Sequence, residues 1–167
     1  MHMLSIDPGY DKTGYAVFEI DKKGKRNFTF ITSGLIKTRK TDAHQLRLKQ
    51  VYDELDVIIK KYDIKEIVIE QLFVFKNAKT VIKVAQSLGV IELVGAQNNL
   101  VIHRLTPLQI KQAVTGNGTA DKQSVQKMIL LELGDTITFK DDDESDAVAC
   151  GLAYIYLDPS TTLRMTV

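Results

Sequence analysis

The residues best suited to chemistry in this sequence are carboxylates at three distant places. Asp7 ends a short apolar run before Pro8-Gly9, Glu70 closes Ile67-Val68-Ile69, and Asp143 and Asp146 stand just before Ala147-Val148-Ala149-Cys150. The spacing of Asp143 and Asp146 puts both on one face if they are helical, with Cβ atoms about 5–6 Å apart. Carboxylates gathered from strand ends are costly unless cations neutralise them, and such hard oxygen ligands suit Mg²⁺ or Mn²⁺ rather than zinc. Two ions about 4 Å apart could activate a water on one side of a phosphodiester and stabilise the leaving oxygen on the other. Each position alone has an ordinary explanation. Asp-Pro-Gly makes turns, a strand can end in an exposed acid, and acids favour the first turn of a helix. Only the combination points to metal-dependent phosphodiester hydrolysis.

The elements that must position these acids follow from hydrophobic periodicity. Residues 3–7 read as a short buried strand, 13–18 as its hairpin partner, and 27–33 as a third strand, giving an antiparallel meander. Residues 43–62 carry Leu46, Val51, Leu55, Ile58 and Ile59 near helical spacing. The β-branched segment 66–70 reads as a parallel strand, followed by a helix over 79–97 and a strand over 100–105. Thr106-Pro107 opens a further helix with Thr as cap and Pro at the first position. The last helix is expected over 144–156. Meander strands followed by alternating strands and helices predict an α/β fold with a mixed five-stranded sheet flanked by helices.

A chain of 167 residues, 44% hydrophobic and 26% charged, suits a single domain over 1–167. No apolar run reaches the ~20 residues that span a bilayer, so a soluble, cytoplasmic protein is expected. The single cysteine, Cys150, cannot form an intramolecular disulfide and reads as a buried thiol. Net charge is only +1, but its distribution is uneven. Acids crowd at Asp141, Asp142, Asp143, Glu144 and Asp146, whereas Lys76, Lys79, Lys83, Lys111, Lys122 and Lys127 are spread through the middle of the chain. A metal cluster among phosphate-binding lysines leaves this signature, and so does a solvated acidic loop beside surface lysines.

Four motifs in order resemble those of RuvC-type Holliday-junction resolvases. They are Ile6-Asp7-Pro8-Gly9 with Thr13-Gly14-Tyr15 and Ser33-Gly34; Ile69-Glu70-Gln71-Leu72-Phe73 with Lys76-Asn77-Ala78; Gly116 to Lys122 with Val125 and Gln126; and Asp143 with Asp146-Ala147. The resemblance covers about residues 4–154. It implies an RNase H-like fold, with Asp7, Glu70, Asp143 and Asp146 as catalytic ligands of two Mg²⁺ ions that Mn²⁺ could replace. It implies an aromatic at Phe73 that packs on bases near the junction centre, the alternative being a core side chain, with Phe75 close by. Lys111 and Lys122 match basic residues near the scissile phosphate, Lys122 with a catalytic part; Lys76, Gly116 and Gly118 fall in the DNA-contacting segments. A homodimer is implied, for which the helix over 79–97, with Val81, Val84, Ala85, Leu88 and Val90, is the candidate contact.

Glu144 and Ser145 stand where small apolar residues are more usual, so Asp142, Asp143 and Glu144 are alternatives for the fourth ligand. These departures and the short chain leave room for a phage or mobile-element member, working in host cytoplasm and without branch-migration partners; a bacterial member would be nucleoid-associated. The expected activity is paired nicking of four-way and related branched DNA. Alternatives are a nuclease of the same fold acting on structured RNA and a junction-binding protein without catalysis. Asp7-x-Gly-x-x-x-Thr-Gly14 also resembles the phosphate-binding turn of actin-like sugar kinases, but those need a second lobe that 167 residues do not supply.

Overall fold

The computed structural model describes residues 1–21, 28–71, 78–134 and 137–157, the side chains of 78–80 excepted. Phe73, Phe75 and Lys76 lie outside the described residues. The chain runs β1 (His2–Asp7), β2 (Lys12–Ile20), β3 (Phe28–Lys37), α1 (His44–Tyr62), β4 (Ile64–Glu70), α2 (Ala78–Gln97), β5 (Val101–Leu105), α3 (Pro107–Thr115), α4 (Lys122–Leu133) and α5 (Asp142–Leu157). One five-stranded sheet has the order β3-β2-β1-β4-β5. The first three strands are antiparallel, and β1, β4 and β5 are parallel. Among the described residues no helix is long and apolar enough to cross a membrane.

Period-two alternation divides the buried side chains between the faces of the sheet. Leu4, Ile6, Ile67 and Ile69 pack with Val51, Leu55, Ile59 of α1 and Ile91, Val94 of α2. Met3, Phe18 and Val68 pack with α3, α4 and α5 on the other face. The same alternation puts Ser5 and Asp7 of β1, with Glu70 of β4, on the α5 face. Ser5 Oγ donates to the Ala147 carbonyl at 2.7 Å, tying β1 to the start of the long buried run of α5.

α5 is the most enclosed helix. Ala147, Val148, Ala149, Cys150, Leu152 and Ala153 are each at most 2% exposed, and small residues let the helix lie close to the sheet. Gly151 and Gly14 mark the closest approaches. A Cβ at Gly151 would come within 2.3 Å of the Phe18 ring, and one at Gly14 within 1.9 Å of the Asp143 carbonyl. Gly14 is the cross-strand partner of Asp7, so a missing side chain on β2 makes room for the first turn of α5 beside that acid.

The observed elements match the expected ones closely, with three differences. β3 continues to Lys37, and α5 begins at Asp142 rather than at 144. α4, which hydrophobic spacing did not single out, is capped by Asp121, whose carboxylate accepts from the Ser124 amide. Its weak amphipathicity explains the omission, since only Val125 and Ile129 are buried. Thr106 does cap α3, in a reciprocal pair of hydrogen bonds with Gln109.

Replacing Gly14 by Ala should force backbone against backbone. We expect Gly14→Ala to cost about 1–3 kcal/mol in denaturant unfolding.

Candidate active site

The register fixes the acids. Ile6 pairs with Ile69 across the parallel β1–β4 ladder, so Asp7 and Glu70 are the next residues on adjacent strands, at their carboxyl ends. α5 then brings Asp143 and Asp146 over the same edge. Ligand oxygens of Asp7, Asp143 and Asp146 all lie within 4.8 Å of one another. Glu70 is outside this triplet but close enough for its charge to act on Asp7. It lines a depression of about 310 Å³ with Asp146, Lys111, Lys122 and Pro107.

Crowding shows in the protonation of the acids. Burial, then the charges of Glu70, Asp146 and Asp143, push the Asp7 carboxyl up to about 8, with Lys122 acting in opposition. Burial and the Asp146 charge push Glu70 up to about 7, against Lys111 and Lys122. Asp143 is also raised, by burial and by Asp141. Asp7 and Glu70, held toward the protonated form near neutral pH, and the close oxygens of the triplet form a donor set that a hard divalent cation fits. Asp7, Asp143 and Asp146 could hold one such ion, and Glu70 faces the same space from the neighbouring strand.

The acidic run from 141 to 146 divides by task. Asp141 pairs with Lys12. Asp142 is exposed and receives Lys122 at 3.3 Å. Glu144, only 5% exposed, accepts from Ser33 Oγ at 2.7 Å and from the Lys140 amide at 2.9 Å, which fastens the start of α5 to β3. Of the three alternatives for the fourth acid, Asp143 alone lies in the triplet. Ser145 Oγ donates to the Asp142 carbonyl and receives Gln126 of α4 at 3.3 Å. The polar pair Glu144-Ser145, unusual in the sequence, is thus accounted for by buried hydrogen bonds.

Lys122 stands at the first position of α4 and donates to Asp146 at 2.9 Å. Lys111, on α3, faces the same depression. Gly116 and Gly118 shape the α3–α4 connection: Gly116 ends α3 at φ 77°, and Gln112 clasps the loop through the Gly116 carbonyl and the Gly118 amide. Phe73 and Lys76 lie outside the described residues. Sequence reasoning missed the Lys12–Asp141 pair, whose only sequence signal was the surplus of acids before Asp143.

Comparison with known proteins gives the family. The family described as Crossover junction endodeoxyribonuclease RuvC matches residues 3–154. A protein of that name from Fusobacterium nucleatum is 43% identical over 155 residues, 93% of this chain and 80% of that protein. One from Caldicellulosiruptor saccharolyticus is also 43% identical, over 93% of this chain and 92% of that protein. Among solved structures, T. thermophilus RuvC in complex with Holliday junction substrate superposes with a TM-score of 0.84 at 20% identity, covering 93% of each chain. Fowlpox virus resolvase, solved with Holliday junction DNA, gives 0.59 at 16% identity, over 93% of this chain and 97% of that one. The ordered acids, the five-stranded mixed sheet and the extent of these matches place the chain in the RuvC family of crossover junction endodeoxyribonucleases, with an RNase H-like fold.

Proposed function

We propose that this chain resolves four-way and related branched DNA by hydrolysing phosphodiester bonds, with Asp7, Glu70, Asp143 and Asp146 holding two Mg²⁺ ions that Mn²⁺ can replace. The carrying observation is the acid triplet formed by Asp7 at the end of β1 with Asp143 and Asp146 of α5, beside Glu70 at the end of β4, in a chain matched by the family over residues 3–154. Divalent ions bound there supply an activated water and charge stabilisation for the leaving oxygen. The protein's part is to hold its acids rigidly and present cations to the phosphate. Lys122 and Lys111 offer ammonium groups at the rim, where they bind backbone and offset charge that grows in the transition state. Phe73, just beyond the β4 acid, would stack on a base at the junction centre, and Lys76 and the Gly116–Gly118 loop would meet the backbone nearby.

We further propose a single domain acting as a homodimer through α2. Leu88 and Val90 pack partly against the core, whereas Ile82, Ala85, Gly89 and Leu93 are exposed along one side. That exposed stripe, with Gly89 permitting close approach, is the contact favoured over the inward-facing residues. A two-fold dimer matches the pseudo-symmetry of a four-way junction and sets two acid clusters on two strands. Such a substrate implies a cytoplasmic, nucleoid-associated enzyme, and branch-migration proteins are candidate partners.

Incubating the protein with a synthetic four-way junction, matched duplex and structured RNA in Mg²⁺ tests the reading: selective paired nicks in the junction are expected, and RNA cleavage alone would overturn it. Asp7→Asn and Glu70→Gln should each lower nicking by at least about 10³-fold while junction binding stays within a few-fold. Leu93→Glu should convert the dimer to monomer in sedimentation and abolish paired nicks.

The raised acids also set a pH dependence. Asp7 and Glu70 hold protons more tightly folded than unfolded, so the metal-free protein should lose stability as pH rises from about 5 through 7 and 8. Thermal melts should show the midpoint falling over that window by several degrees, at about 2–4 °C per kcal/mol for this size. Mg²⁺ should raise the midpoint more at the alkaline end, and Asp7→Asn should flatten the pH slope and weaken the Mg²⁺ shift.

A further inference from the structure

A depression of about 850 Å³ lies on the other flank of the acids. It meets them at Asp143, whereas the Lys111–Lys122 depression meets them at Glu70 and Asp146. Its walls come from the β1–β2 turn, the first turn of α1 and one side of α2, and include Tyr10, Lys12, His44, Lys83 and Gln86. None of these residues belongs to the acid cluster or its lysine rim.

The aromatic part of this wall is held rigidly. Tyr10 Oη and His44 Nδ1 share a hydrogen bond at 2.8 Å, with ring centroids 5.4 Å apart. The buried Arg47 guanidinium lies 3.8 Å from the Tyr10 ring centroid, donates to the Tyr10 carbonyl at 3.1 Å and pairs with Asp11 at 2.5 Å. The turn is fixed from two more sides, because Thr13 and Ser87 hydroxyls both donate to the Gly9 carbonyl, at 3.0 and 2.9 Å. The platform therefore needs no ordering when a ligand arrives.

Lys83 supplies a free charge. Its ammonium sits 5.1 Å from the Tyr10 ring centroid, and among the described residues no carboxylate pairs with it. Lys12, by contrast, is occupied by Asp141. An unpaired ammonium beside a fixed pair of rings, one step from acids that would hold divalent ions, is suited to a phosphate and its attached nucleoside.

We propose that this groove seats a nucleotide of the cleaved strand on the flank of the scissile phosphate opposite the Lys111–Lys122 rim, with its phosphate on Lys83 and its sugar or base against Tyr10 and His44. The inference rests on the junction-nuclease reading and adds to it a second strand-positioning surface. The strand would thus be gripped on both sides of the reacting bond. Tyr10, His44 and Lys83 position it without touching the reacting atoms.

Junction binding by fluorescence anisotropy, in Ca²⁺ to limit cleavage and over a series of salt concentrations, tests this on the full chain. Lys83→Ala should weaken binding roughly three- to tenfold and reduce the slope of log affinity against log salt by about 0.9, one phosphate's share. Lys49→Ala, which removes an equal charge from the outer side of α1, should leave the slope as in wild type. His44→Ala, and Tyr10→Leu if it folds, should weaken binding roughly two- to fivefold, by a lost ring contact that a phosphate-only site would not show. Wild-type affinity and slope for both Lys83→Ala and Lys83→Glu would overturn the proposal while junction cleavage by wild type stands. A Lys83 effect with His44→Ala silent would overturn the nucleotide seat in favour of a bare phosphate contact. A wild type that binds no branched DNA would overturn both readings at once.

Discussion

Mutual repulsion among carboxylates is the constraint on which this structure turns. Acids whose ligand oxygens come within 4.8 Å of one another at a partly buried sheet edge do not stay there by their own preference. The scaffold must hold them. β1 and β4 do so because adjacent parallel strands in fixed register carry Asp7 and Glu70 to the same edge and the same face. α5 does so because its buried run of small and aliphatic side chains anchors the helix from Ala147 onward, leaving the first turn no freedom to swing away.

Hydrophobic burial and hydrogen bonding divide this task. Each fully buried Ile or Leu contributes about 1.5–3 kcal/mol, and both faces of the central strands are filled with such residues. Burial alone would allow α5 to slide or rotate on the sheet. Directional bonds fix its position: Ser5 to the Ala147 carbonyl, Ser33 to Glu144, and Gln126 to Ser145. Lys12 pairs with Asp141 outside the triplet, whereas Lys122 pairs with Asp146 within it and with Asp142 beside it.

Much of this was legible in the sequence because both periodicities were clean. The alternation in β1 and β4 put Asp7 and Glu70 at strand ends, and the i, i+3 spacing of Asp143 and Asp146 predicted a shared helical face. The proximity of the three segments came from motif order rather than from spacing, since no local pattern encodes a contact between residues 7 and 143. Glu144 was ambiguous for a physical reason: a buried structural acid and a metal-ligating acid look alike until their partners are seen. α4 escaped notice because only two of its side chains are buried. The groove at Tyr10 is built from a turn, a helix start and a helix side distant in sequence, and no motif joins them.

Cys150 lies fully buried in α5 behind the acids, and its thiol is pushed up by burial and then by the charges of Glu70 and Asp7. Burial above all therefore keeps the only sulfhydryl in the chain protonated. Oxidants attack thiolates, and they need access. The same enclosure that anchors the helix against the sheet thus shields it from peroxide, so the acid edge rests on a support with no redox-sensitive thiolate.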